Sequence, residues 1–110
     1  MKGTHLGEFE ELVLLVVGIL KGEAYGIIVM DEIKQHTGRK TSISTIHTTL
    51  ARLEKKGFIA SRVGGASPTR GGRSKRIYQI TAEGQQALEH VKVQREKLWS
   101  LLPKNLFSHG

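Results

Sequence analysis

Between Glu8 and Lys21 the chain runs EFEELVLLVVGILK, in which Phe9, Leu12, Val13, Leu14, Leu15, Val16, Val17, Ile19 and Leu20 leave almost no helical face polar. A helix that is apolar on every side must be covered on every side. A chain of 110 residues has material for one modest core, so the far side of this helix is expected to meet a second copy of the chain. The run is shorter than the ~20 residues that cross a bilayer. Glu8, Glu10 and Glu11 stand where a secretory signal would carry positive charge, and no small-residue cleavage site follows. The segment predicts a buried helix of a cytoplasmic protein with no membrane partner. Gly22 ends it, with Lys21 in the last turn where the helix dipole favours a cation.

A second helix is expected from about Ile27 to His36, with Ile27, Met30 and Ile33 on one face and Thr37 and Gly38 closing it. After the link RKTS comes a third, in which Ile43, Ile46, Leu50 and Leu53 recur at steps of three, four and three, the spacing of one buried stripe. Ser42 is placed to cap this helix and Gly57 to close it. The opposite face shows Ser44, Thr45, His47, Thr48 and Arg52, short donors and acceptors that allow close approach to another molecule. FIASRV and RIYQIT are β-branched and aromatic enough to be strands, and the glycine-rich GGASPTRGGRSK between them predicts a hairpin with a cationic tip. Thr81 then caps a last helix that reaches about Leu102 and stops at Pro103. Along it Leu88, Val91, Arg95, Leu98 and Leu102 follow the alternation of a coiled-coil seam with one charged interruption.

The 17 Lys and Arg against 10 Asp and Glu give a net charge of +7, which favours a polyanionic partner. The excess is not spread evenly. Residues 1–32 carry two basic and six acidic residues, residues 33–80 carry eleven basic residues against Glu54 alone, and residues 81–110 carry four basic and three acidic residues. Polarisation of the whole middle of the chain argues for one binding face rather than for solubility in general.

Several chemistries find no support. The chain has no cysteine, which excludes disulfides, thiolate metal sites and a cysteine nucleophile. Its five histidines, at 5, 36, 47, 90 and 109, have no spacing typical of a metal site. The glycine-rich loop lacks the G-x-x-x-x-G-K-[ST] pattern of a nucleotide phosphate cradle. No nucleophile with an orienting base is evident. The expectation is a protein without cofactor or metal, and not an enzyme.

Helix, helix, helix, hairpin, helix is the order of a winged helix-turn-helix domain followed by a dimerisation helix. The fold expected is mainly α with a small β-hairpin, residues 1–82 forming the winged helix-turn-helix domain and residues 83–110 the C-terminal dimerisation helix and tail. The third helix takes the recognition position and the strand loop is the wing.

The stretches LGEFEELVLLVVGIL, EAYGIIVMDEI, STIHTTLARLEKKGFI and RGGRSKRIYQITAEG, which together span most of residues 6–84, resemble the PadR family of bacterial transcriptional regulators. The helix ending in Leu-Glu-Lys-Lys-Gly and the Gly-Gly-Arg before a Tyr-containing strand carry most of the likeness. His47 departs from the Tyr that many members carry at this position. The resemblance implies a homodimer on a pseudo-palindromic operator in double-stranded DNA, paired through the last and first helices. Members usually repress transcription, and many release DNA when a small molecule or stress signal arrives.

Candidate DNA contacts are Lys40, Ser42, Ser44, Thr45, His47, Thr48 and Arg52 around the third helix, and Arg70, Gly71, Gly72, Arg73, Lys75 and Arg76 in the wing, with base and phosphate roles open. Arg76 could also pair locally within its strand. Candidate dimer contacts are Phe9, Leu12, Val16, Leu88, Val91, Leu98, Trp99 and Leu102. Trp99 serves either as dimer core or as a surface on which a ligand stacks. Any effector is expected to act at the dimer contact or at a hinge between the last helix and the winged domain. Three functions stay open on the residues alone: a sequence-specific operator-binding repressor, a sequence-tolerant nucleoid-type protein, and a winged-helix protein-interaction module.

Overall fold

The N-terminal apolar run forms α1 (Glu8–Leu20). It is followed by β1 (Ala24–Tyr25), α2 (Gly26–Thr37), α3 (Ile43–Lys55), β2 (Ile59–Gly64), β3 (Lys75–Ile80) and α4 (Ala82–Leu101). The structure, a computed structural model, describes residues 5–64 and 75–107. Local chemistry accounts for the helix ends. The Glu10 carboxylate reaches back to accept the Gly7 N–H at 2.7 Å. Ser42 Oγ accepts the Thr45 N–H at 3.0 Å, and Thr81 Oγ1 accepts the Gly84 N–H at 3.0 Å. Lys21 lies beyond the last turn of α1 in the left-handed region, with φ 49°.

The core lies where α1, α2 and α3 meet the sheet. Val13, Leu14 and Val17 of α1, Val29 and Ile33 of α2, Ile46, Leu50 and Leu53 of α3, and Ile59 of β2 are all buried there. Two apolar residues expected on buried faces are largely exposed instead: Ile27 at 48% and Ile43 at 37%. Each sits in the first turn of its helix, where the core side is closed by Gly26 and Val29 in α2 and by Ile46 in α3.

The sheet has three strands rather than the two of the expected hairpin, in the order β1-β3-β2. Strand β1 pairs antiparallel with β3 through Ala24 opposite Tyr78 and Tyr25 opposite Ile77. Strands β2 and β3 pair from Ile59 opposite Ile80 to Gly64 opposite Lys75.

The apolar surface of α1 and the seam of α4 are shared out differently from the expectation. Val16 is 3% exposed inside the single chain, so it is not available to a partner. Phe9 and Leu12 pack partly on the core, as do Leu88 and Val91 from the first half of the seam. The second half is left uncovered among the described residues: Leu98, Trp99 and Leu101 are exposed, and Leu102 lies just past the helix end as its cap. Leu15 and Ile19 form the exposed remnant of α1. No helix among the described residues is long and apolar enough to cross a membrane.

Candidate nucleic-acid interface

Helix α3 separates its residues by face. Ile46, Thr49, Leu50 and Leu53 are buried, and Ser44, Thr48, Ala51 and Lys55 follow at steps of four, three and four on the opposite, exposed side. This outward strip is small and uncharged apart from one terminal cation. Lys55 therefore shares the exposed face of the candidate residues Ser44 and Thr48; the sequence reading omitted it, although its spacing from them marks it.

The flanks of α3 are engaged by neighbours. On one flank the Ser42 hydroxyl, which caps the helix, also donates to Thr45 Oγ1 at 2.9 Å. Farther along the same flank Lys56 Nζ donates to Glu10 Oε1 at 2.8 Å and to the His5 carbonyl at 2.7 Å, tying the end of α3 to the start of α1. Arg52 Nε stands 3.9 Å from the other Glu10 oxygen. Burial pushes the Glu10 carboxyl upward, but the Lys56 hydrogen bond, the Gly7 N–H and the charges of Lys56 and Arg52 outweigh it and hold it below the usual carboxylate range.

On the other flank Ser61 Oγ donates to Glu54 Oε2 at 2.7 Å and accepts from Arg76 Nη1 at 2.9 Å. Arg76 thus pairs locally through Ser61, as one of its two expected roles had it. Burial raises the Tyr78 phenol beside this chain of groups, with Arg76 opposing the shift and Glu54 adding to it, so Tyr78 stays neutral. Lys75 Nζ lies over the Tyr25 ring, 5.6 Å from its centre.

Not all of the basic block faces one way. Arg39 is bound by Glu8 through two contacts of 3.0 and 2.8 Å and stacks over Phe9 at 4.8 Å, so its charge is spent on α1. Lys40, Lys55 and Lys75 make no ion pair among the described residues. A notch of about 530 Å³ between the N-termini of α2 and α3 and strand β3 brings Ile27, Ile43, His47, Lys75 and Arg76 together. Its two exposed isoleucines are the kind of apolar group that meets a thymine methyl. The sequence reading assigned both to buried helix faces. Arg70, Gly71, Gly72 and Arg73 lie outside the described residues.

Away from this face, a groove of about 600 Å³ runs between α1 and α4, lined by Leu15, Leu88 and Trp99 with Glu11 and Arg95. Trp99 stacks on Phe107 with ring centres 5.8 Å apart. No group of three or more His, Asp or Glu side chains able to hold a metal comes together among the described residues.

The sequence profile described as the transcriptional regulator PadR-like family matches residues 13–90. Among curated proteins none matches. Among solved structures, a PadR-like transcription factor from Bacteroides fragilis superposes with a TM-score of 0.71 at 17% identity, covering 84% of each chain. A PadR family transcriptional regulator from Eggerthella lenta gives 0.68 at 28% identity, covering 92% of this chain and 88% of that one. Bacillus subtilis PadR in complex with operator DNA gives 0.64 at 22% identity, covering 94% of this chain and 52% of that one.

Proposed function

Because the chain belongs to the PadR-like family of transcriptional regulators, which are not enzymes, we propose that it is a cytoplasmic homodimeric repressor that binds a pseudo-palindromic operator and is released by a small molecule or stress signal. Residues 1–82 form the DNA-binding unit and residues 83–110 the dimerisation element. The observation that carries this reading is the exposed strip of α3, Ser44, Thr48, Ala51 and Lys55, set directly opposite its buried stripe. Such a strip lets a helix enter a major groove without steric conflict while its polar ends meet base edges. Thr45, His47 and Arg52 border it, and Lys40 and Lys75 stand ready for phosphates. The solved complex of Bacillus subtilis PadR with operator DNA supports the DNA partner. The wing residues Arg70 and Arg73, with Gly71 and Gly72, and Arg76 complete the proposed contact set.

Selection of genomic fragments by the purified protein, followed by competition with random DNA at physiological salt, tests the proposal. A specific binder keeps its site by a ratio of roughly 10³ to 10⁷. Equal affinity for all DNA would mean a sequence-tolerant nucleic-acid protein. No affinity and no salt dependence would mean a protein-interaction module.

A further inference from the structure

The junction between β3 and α4 is a clamp. Thr81 donates its backbone N–H to the Phe58 carbonyl at 3.0 Å and its hydroxyl to the Gly57 carbonyl at 2.7 Å. The same hydroxyl accepts the Gly84 N–H. Gly57 and Phe58, just past the end of α3, are in turn tied to its last turn: their N–H groups donate to the Glu54 and Leu53 carbonyls, each at 3.0 Å. The end of α3 and the start of α4 are therefore joined through one threonine.

Gly84 closes the contact from the other side. It is the one buried residue of α4, and a β-carbon there would overlap the Phe58 carbonyl oxygen, with Ile80 Cγ1 at 2.8 Å and the Phe58 carbonyl carbon at 3.0 Å. Phe58 cannot give way easily, because it is buried in the core and precedes the strand register of Ile59 with Ile80. Any side chain at 84 must move α4 instead. Leu98 lies fourteen residues farther along, about 21 Å by helix rise, so a displacement of Gly84 about a pivot one turn before it is multiplied roughly fivefold there.

We infer that Thr81 and Gly84 are positioning residues that fix the exit angle of α4 and thereby the separation of the two recognition helices, which decides the half-site spacing the dimer accepts. The inference rests on the dimeric operator-binding reading above. It replaces the expected hinge between the last helix and the winged domain with a rigid joint, so that a displacement at the dimer contact reaches α3 directly. The two recognition helices must match about one DNA turn, ~34 Å, which leaves little tolerance for tilt.

The chain has no cysteine, so a spin label on Ala51→Cys reports the α3–α3 separation in the free full-length dimer. The unsubstituted background should give one narrow distance. Adding Gly84→Ala should shift it, Thr81→Val should broaden it, and Thr81→Ser should restore it. On operators whose half-sites are moved one base pair at a time, Gly84→Ala should lose tenfold or more at the native spacing and change its optimum, with binding to a single half-site unchanged. If Gly84→Ala does not fold, the Thr81→Val and Thr81→Ser pair carries the same test. Identical distance distributions and spacing optima in folded, dimeric variants would overturn the clamp. Absence of any inter-label distance in the unsubstituted background would overturn the dimer reading instead, and the clamp's role with it.

Discussion

The imidazole of His47 rests against the backbone of Gly26, so closely that a β-carbon at residue 26 would fall 2.7 Å from its Cε1 and 3.3 Å from both ring nitrogens. The first residue of α2 thus determines where a side chain of α3 can point. His47 is exposed, so in Gly26→Ala the ring can swing away at little cost to the fold, less than about 1 kcal/mol. In the proposed complex, discrimination at the base position assigned to His47 should change by about 1–3 kcal/mol. Binding to a panel of single-base operator variants measures this. An unchanged panel would show that His47 takes no part in base recognition.

Glu10 and Lys56 supply a prediction on pH. The Glu10 carboxyl is held below its ordinary value of 4.5 in the folded chain. Its contribution to stability is therefore full above that value and is lost as the pH falls through the lower folded-state value. Denaturant titrations at several pH values should show this acid limb in the native sequence. Glu10→Gln should flatten it, and Glu10→Ala should cost about 1–3 kcal/mol at neutral pH by leaving Lys56 without its carboxylate and the Gly7 N–H without its acceptor. An acid limb of equal size in Glu10→Gln would place the titrating group elsewhere.

Helix α3 was legible because its signals are local: Ser42 caps it, and Ile46, Leu50 and Leu53 keep one period whatever lies around them. Strand β1 was not legible, since two residues carry no pattern and Ala24 and Tyr25 become a strand only when Tyr78 and Ile77 arrive beside them. Val16 was misassigned for a related reason. A helix apolar on all sides has no period to say which face turns inward, and packing alone decides. Charge counting likewise placed Arg39 in the basic block, because its partner Glu8 lies 31 residues away in sequence. Ile27 and Ile43 look like core by type, yet each sits in the first turn of its helix on a side that neighbouring residues leave exposed.

Thr48 and Lys55 share the outward strip of α3 but should act differently on DNA. Lys55→Ala should weaken binding to operator and random DNA alike and reduce the salt slope by about 0.9, one phosphate's worth. Thr48→Ala should leave the slope intact and relax discrimination at one base position by about 1–3 kcal/mol. Titrations at several salt concentrations on both DNAs separate the two effects. The same uniform loss for both variants would remove base recognition from this face.

The end of α4 leaves a contiguous apolar surface in water: Leu98 is 64%, Trp99 63%, Leu101 69% and Phe107 61% exposed. A soluble single chain seldom leaves such a cluster uncovered, and a second copy covers it in the proposed dimer. Leu98 is exposed and is not among the residues packed on the protomer's core, so Leu98→Glu should leave each protomer folded while weakening pairing by about 2–4 kcal/mol. Trp99 is the chain's only tryptophan, and its emission is therefore a direct reporter of that surface. It should shift to the blue as concentration rises, in step with the sedimentation coefficient, and Leu98→Glu should hold it at the solvent-exposed value over the same range. If sedimentation shows a dimer while the emission stays fixed, protomers meet elsewhere than at Trp99. If Leu98→Glu remains dimeric at micromolar concentration, the second half of the seam is not the contact, and the cover for this surface must come from another molecule.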